Sequence, residues 1–319
     1  MVLSRVRLAL LSCAPERAPL LFFEDADMID KETRLANAFK DATENGGAVE
    51  WLMAKMLNSA VGLLWFHDVI VASGSGVLVE YLGHHFIATC SHVNRRPASS
   101  PNSMLLVYYG QTDFAESDHT DFIEKISVAK DEKSEGDVDV AAILLKPNGV
   151  EKLRSLGKSF VKLPDEAKTH LDQGAAHFVS GFPGEYQKPS AKKEGETIVI
   201  TFPLPCQLTE LLSTESSEGS SRIRFRRFGK TWPQRHNSPI SMAGTSGGGV
   251  WELRVEDTES DGETTGEWTF HNPQLVGLIQ SQSRPSGHNP YILVEKIETW
   301  MDEMRGLVGR AGPKARKYM

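Results

Sequence analysis

Residues 241–251 read SMAGTSGGGVW, with Gly244, Gly247, Gly248 and Gly249 crowded around Ser246 ahead of an apolar, strand-like run. Glycine loses more backbone freedom on folding than any other residue and adds no side-chain contact. Such a density therefore marks a place where the main chain bends sharply or comes very close to another group. The stretch reads as a site before it reads as scaffold, and Ser246 is the residue that the site presents.

Working outward, the chain from Val61 onward consists of short apolar runs separated by turn residues, the pattern of an all-β sandwich or barrel. Examples are VGLLWF, SGVLVEYLGHHFIATC, SMLLVYYG, VDVAAILLK, AAHFVSGFP, ETIVITFPL, RIRFRRFG, GGGVWELRV and PQLVGLIQS. Residues 1–60 differ: Leu35, Phe39, Val49, Leu52, Met53 and Met56 fall at helical spacing with a break at Gly46-Gly47, which predicts a helical extension. In YILVEKIETWMDEMRGLV, the spacing of Ile292, Val294, Ile297, Trp300 and Met301 predicts a C-terminal helix over about 291–305, followed by a basic tail over 306–319. Polar stretches at 131–136, 213–221 and 256–267 read as loops, the last as a solvated hairpin tip. In RIRFRRFGK, alternation sets Arg222, Arg224 and Arg226 on one strand face against Ile223, Phe225 and Arg227 on the other.

At 319 residues and 40% hydrophobic, the chain is long enough to bury a large core. Its net charge of -7 argues against a broad field for phosphate backbones, so nucleic acid is not an expected partner. Nothing approaches the ~18 consecutive apolar residues of a membrane span, and no membrane association is expected. The opening MVLSRVRLALLSCAP has an apolar run, Leu8 to Leu11, too short for a secretory leader. Cys13, Cys90 and Cys206 are odd in number and widely spaced, which fits a reducing, cytoplasmic compartment better than a disulfide framework.

Gly244-Thr245-Ser246-Gly247-Gly248 satisfies two serine-nucleophile patterns, the α/β-hydrolase elbow and the trypsin-like serine loop. Both need glycine because backbone amides must point at a developing oxyanion with no side chain in the way. Chain order separates them. In the elbow family the serine precedes its acid and histidine, whereas here GHHFIATCSHV supplies His92 and DVDVAAILL supplies Asp139, both upstream. His271 and His288, downstream, lie in loop-like sequence.

GSGVLV followed by HHFIATCSHV, then DVAAILL, VSGFP and GTSGGGVW, resembles the trypsin-like, chymotrypsin-fold serine peptidases, in particular bacterial cytosolic members. The resemblance spans about 61–302, with gaps of 47 and 107 residues between His92, Asp139 and Ser246. It implies two six-stranded antiparallel β-barrels, the first over about 61–160 and the second over about 170–290, with the active site between them. It implies Ser246 as nucleophile, His92 as general base and acid, Asp139 as its orienting carboxylate, and the amides of Gly244 and Ser246 as the oxyanion hole. No metal or organic cofactor is implied. Asp137 shares strand parity with Asp139, but Asp139 immediately precedes Val140-Ala141 and is the better match.

The sequence departs from the family at three places. Thr245 stands where digestive members carry the aspartate that pairs with a cleaved N-terminus, so activation by such cleavage is not expected. Ser91 replaces the usual alanine, and Val93 stands where secreted members have a disulfide cysteine. By position, the resemblance implies Ile240 as the floor of the specificity pocket and Gln280, Ser281 and Gln282 as its wall; an Ile240 floor, without a carboxylate, implies an apolar or small P1 residue. His84 and His92 on one extended strand would lie ~26 Å apart, too far for a shared metal ion, and Cys90 reads as a small buried hydrophobe. The partner expected is a protein or peptide substrate, with a regulatory protein engaging the N-terminal helices or the Arg222–Arg227 strand. The competing class is a catalytically inactive protease-fold interaction module.

Overall fold

The computed structural model describes residues 54–67, 69–95, 104–108, 122–128, 139–166, 175–182, 190–194, 197–201, 207–215, 222–232, 244–260, 263–282 and 291–311. Of the expected N-terminal helices only residues 54–58 are described, as a helical turn with Met56 buried. The first sheet comprises β1 (Ala60–His67), β2 (Val69–Tyr81), β3 (His84–Thr89), β4 (Met104–Tyr108), β5 (Ile123–Val128), β6 (Ala141–Leu145) and β7 (Val161–Lys162). Its path is β4-β1-β2-β3-β6-β5, antiparallel at every step, with β7 added to β2 in parallel. Helices α1 (Ser91–Asn94) and α2 (Pro147–Ser155) interrupt it.

Beyond it come β8 (Ala176–Gly181), β9 (Ser190–Glu194), β10 (Thr197–Thr201), β11 (Gln207–Glu215), β12 (Arg222–Trp232), β13 (Gly249–Leu253), β14 (Val255–Ser260), β15 (Glu263–Phe270), β16 (Gln274–Gln282) and β17 (Tyr291–Lys296). Six of these pair in a ring, β11-β12-β17-β16-β13-β8, while β9 with β10 and β14 with β15 form separate ribbons. Helix α3 (Ile297–Ala311) closes the described chain and lies against β5, β6 and β16.

Alternation along the ring strands explains how ring and sheet share a core. Val179, Val250, Ile279, Ile223, Phe225, Ile292 and Val294 form one buried cluster. The residues next to the first three, Phe178, Trp251 and Leu278, point the other way and join a second cluster with Val77, Phe86 and Ile143 of the first sheet. A period of two thus gives each ring strand two buried faces, which is why GVWEL and AHFVSG are buried throughout. Helix α3 seals this shared core with Ile297, Trp300, Met301, Met304 and Leu307, one stripe at helical spacing.

The expected all-β class holds as two curled, largely antiparallel sheets with a C-terminal helix. Among the described residues the first sheet does not close: β4 and β5 are its ends, and Ile126 on β5 is 43% exposed, as on an uncovered edge. The helix expected over 291–305 begins only at Ile297. Residues 291–296 are strand β17, in which Ile292 and Val294 are buried at a strand's period of two between β12 and β16. Helix α3 then runs into the expected tail, to Ala311. The acidic stretch 256–267 is largely the ribbon β14–β15 rather than loop, and 213–215 continues β11. The expected alternation of β12 holds at Ile223, Arg224 and Phe225, buried, exposed and buried. The loop at 131–136 and the tail beyond Ala311 lie outside the described residues.

The indole of Trp300 donates to the Thr89 carbonyl at 2.7 Å, joining α3 to the end of β3 in the buried interior. Trp300→Phe removes the donor and part of the ring, and is expected to lower stability by about 3 kcal/mol, read as a lower urea midpoint at unchanged m-value.

Candidate active site

Strand β3 stops at Thr89, and the chain turns through Cys90 into the single turn of α1. The flanks of that turn are fixed: the Trp65 indole donates to the Val93 carbonyl at 2.9 Å, and Ser91, Val93 and Asn94 are buried. His92, between them, keeps its side chain 51% exposed. Because β3 pairs with β6 through Thr89 and Ala141, the residues just before Ala141 run alongside this turn. Asp139 accepts from the His92 amide at 2.9 Å with one carboxylate oxygen and meets His92 Nδ1 with the other at 2.5 Å. Asp137, the alternative, lies outside the described residues.

Burial pushes the Asp139 carboxyl pKa up, but the hydrogen bond and charge of His92, with the amides of His92 and Ser91, outweigh it and hold the group below its ordinary value. The sign follows from linkage. A depressed folded pKa contributes stability that is present above the unfolded value of about 3.9 and is lost as pH falls through the lower folded one. Asp139 is therefore a carboxylate throughout the neutral range, orienting the ring through Nδ1.

The Ser246 loop reaches the end of β3 from the ring, with no hydrogen bond between Ser246 and His92. Its Gly244 and Ser246 carbonyls accept from Ser75 of β2, through Oγ and the amide respectively, both at 2.8 Å. The Gly247 amide donates to the Ile279 carbonyl at 2.7 Å, the Ile279 amide donates to Gly248 at 2.9 Å, and the Gly248 amide donates to Thr245 at 2.7 Å. The Gly244 and Ser246 amides take no part in these bonds. Gly247 sits at φ +83, and a Cβ there would stand 2.1 Å from the Ser75 carbonyl oxygen and 2.4 Å from Thr89 Oγ1. The glycine density of the opening stretch thus has a physical cause: the loop is pressed against the end of β3, three residues from His92. Thr245, before the serine, is buried.

Cys90 lies beneath. Its thiol is fully buried and donates to the Ile279 carbonyl at 3.0 Å. Burial first, then the charge of Asp139, pushes its pKa well up. Cys90, His92 and Asp139 offer donor atoms within 4.8 Å of one another, and these are the described groups nearest to a metal-ligand set. Thiolate is the ligating form, however, and this thiol is held protonated, while Nδ1 of His92 is already engaged by Asp139. His84 is exposed at the start of β3, on the far side of a strand that ends before His92.

Of the expected pocket residues, Ile240 lies outside the described chain, while Gln280, Ser281 and Gln282 form the end of β16, with Gln280 half-buried. Sequence reading passed over Ser75 and Thr89, although Ser75 stands between Gly74 and Gly76 in a strand, a composition that signals close backbone approach.

Gly247→Ala is expected to destabilise the fold by about 3 kcal/mol or more, because Cβ would meet backbone at a positive φ; thermal unfolding measures it. Cys90 is expected to resist iodoacetamide in the native protein and to react once urea unfolds it, with peptide mapping as the readout. Among known proteins, no family model and no curated protein matches this chain.

Proposed function

We propose that the protein is a serine endopeptidase of the trypsin-like, two-barrel kind, hydrolysing peptide bonds through Ser246, His92 and Asp139. The observation that carries this reading is the His92–Asp139 pair, a half-exposed imidazole held at Nδ1 by a buried-side carboxylate, beside a glycine-rich serine loop tied to the same sheet.

The chemistry follows from which atoms are engaged. With Nδ1 committed to Asp139, Nε2 is the free base. Ser246 Oγ attacks the scissile carbonyl as its proton passes to Nε2, and the carbonyl oxygen becomes an oxyanion bound by the Gly244 and Ser246 amides. Collapse breaks the C–N bond; the amine leaves with the proton from Nε2 and the acyl group stays on Oγ. Water then attacks the acyl carbon as its proton passes to Nε2; collapse breaks the bond from the acyl carbon to Oγ, Oγ takes the proton back from Nε2, and the carboxylic acid product leaves with Ser246 regenerated. Asp139 stabilises the imidazolium at each crest. No cofactor is needed. The buried free thiol of Cys90 suits a reducing, cytoplasmic setting, and Ile240 favours an apolar or small P1 residue.

A fluorophosphonate probe tests the reading. Wild-type protein is expected to be labelled, with the modification mapped to Ser246. Ser246→Ala is expected to abolish labelling, and Asp139→Asn to slow it by about four orders of magnitude. A wild-type protein that takes no label and cleaves no peptide overturns the enzyme and leaves a protease-fold interaction module.

A further inference from the structure

We propose that Ser75 is a positioning residue that sets the nucleophile loop across the boundary between sheet and ring; this rests on the reading of Ser246 as the nucleophile. Ser75 is fully buried, and every polar group it owns is committed. Its amide donates to the Ser246 carbonyl at 2.8 Å, and its carbonyl accepts from Thr89 Oγ1 at 2.7 Å. Its hydroxyl donates to the Gly244 carbonyl at 2.8 Å and accepts from the Phe182 amide, at the end of β8, at 2.9 Å.

The backbone half of this set needs no particular side chain. The hydroxyl half does, and it acts where the loop is least constrained. Gly244 is at φ +89 and has no Cβ to limit rotation of its peptide planes. Once Ser75 Oγ holds the Gly244 carbonyl and the Ser75 amide holds the Ser246 carbonyl, the Ser246 amide lies between two fixed points. Gly244, source of the other oxyanion donor, has one of its own peptide planes pinned. Oxyanion donors act through preorganisation, so a loop that must reorder for each turnover loses rate rather than binding.

Ser75→Ala deletes the hydroxyl, and Ser75→Cys keeps nearly the same shape with a poor donor and acceptor in its place. Each variant is first shown to be folded by near-ultraviolet circular dichroism, then its fluorophosphonate inactivation is resolved into a maximal rate and an apparent affinity. The expected result is a maximal rate lower by about 10- to 100-fold in both variants, with affinity within about twofold of wild type. A purely structural serine would lower the melting temperature and leave the maximal rate of the folded protein unchanged. A folded variant labelled at the wild-type rate, or one whose loss lies in affinity, overturns the role of Ser75 alone. Absence of Ser246 labelling in the wild type overturns the peptidase reading and the proposal with it.

Discussion

Everything at the candidate site depends on a buried seam of hydrogen bonds where the end of β3 meets the glycine-rich loop. Trp300 holds the Thr89 carbonyl, the Thr89 hydroxyl holds the Ser75 carbonyl, Ser75 holds Gly244 and Ser246, and the Ile279 carbonyl gathers both the Gly247 amide and the Cys90 thiol. Each link is worth about 1 kcal/mol net, but a buried group deprived of its partner costs about 1–3 kcal/mol, so the chain is stronger against interruption than its sum suggests. It passes from the C-terminal helix through the first sheet into the ring and makes the two sheets one mechanical unit.

The seam also sorts the electrostatics. His92 is half in solvent while Asp139 is largely covered, its side chain 17% exposed. The ring is thus accessible to an incoming group at one nitrogen and shielded at the other, where a carboxylate kept ionised by that same ring waits. Cys90, one layer deeper, is the opposite case: burial and a neighbouring negative charge keep it neutral, so the floor of the site is chemically quiet. Cys90 and His92, two residues apart in sequence, thus sit at different depths, one fully buried and the other half-exposed.

Apolar runs of strand length made the β class legible, and the order of His92, Asp139 and Ser246 made a candidate site legible. Asp139 was preferred to Asp137 because it immediately precedes Val140-Ala141, and the pairing of Thr89 with Ala141 sets that end of the strand beside the turn that carries His92. What escaped did so for physical reasons. Strand β17 runs without a break into α3, and Val294, Ile297 and Met301 fall at helical spacing, which masked the strand-like two-residue step from Ile292 to Val294, so periodicity put the boundary about six residues early. Acidic residues between β14 and β15 hid a ribbon, because exposed strand positions tolerate charge. Helix α2 was announced by short local signals, Pro147 in its first turn, Val150 and Leu153 on one face, and Gly157 just past its end.

Local chemistry, then, was already complete in the amino-acid order: which segments seek burial at a period of two, which residue bears a hydroxyl among glycines, and which carboxyl precedes a strand. Partnership was not. Ser75 and Gly244 are 169 residues apart, and Cys90 and Ile279 are 189 apart, and nothing in either neighbourhood names the other. Such pairs exist only once two sheets have curled and closed on a common core. A hydrogen bond demands positions good to a fraction of an ångström, which hydrophobic pattern cannot specify and close packing can.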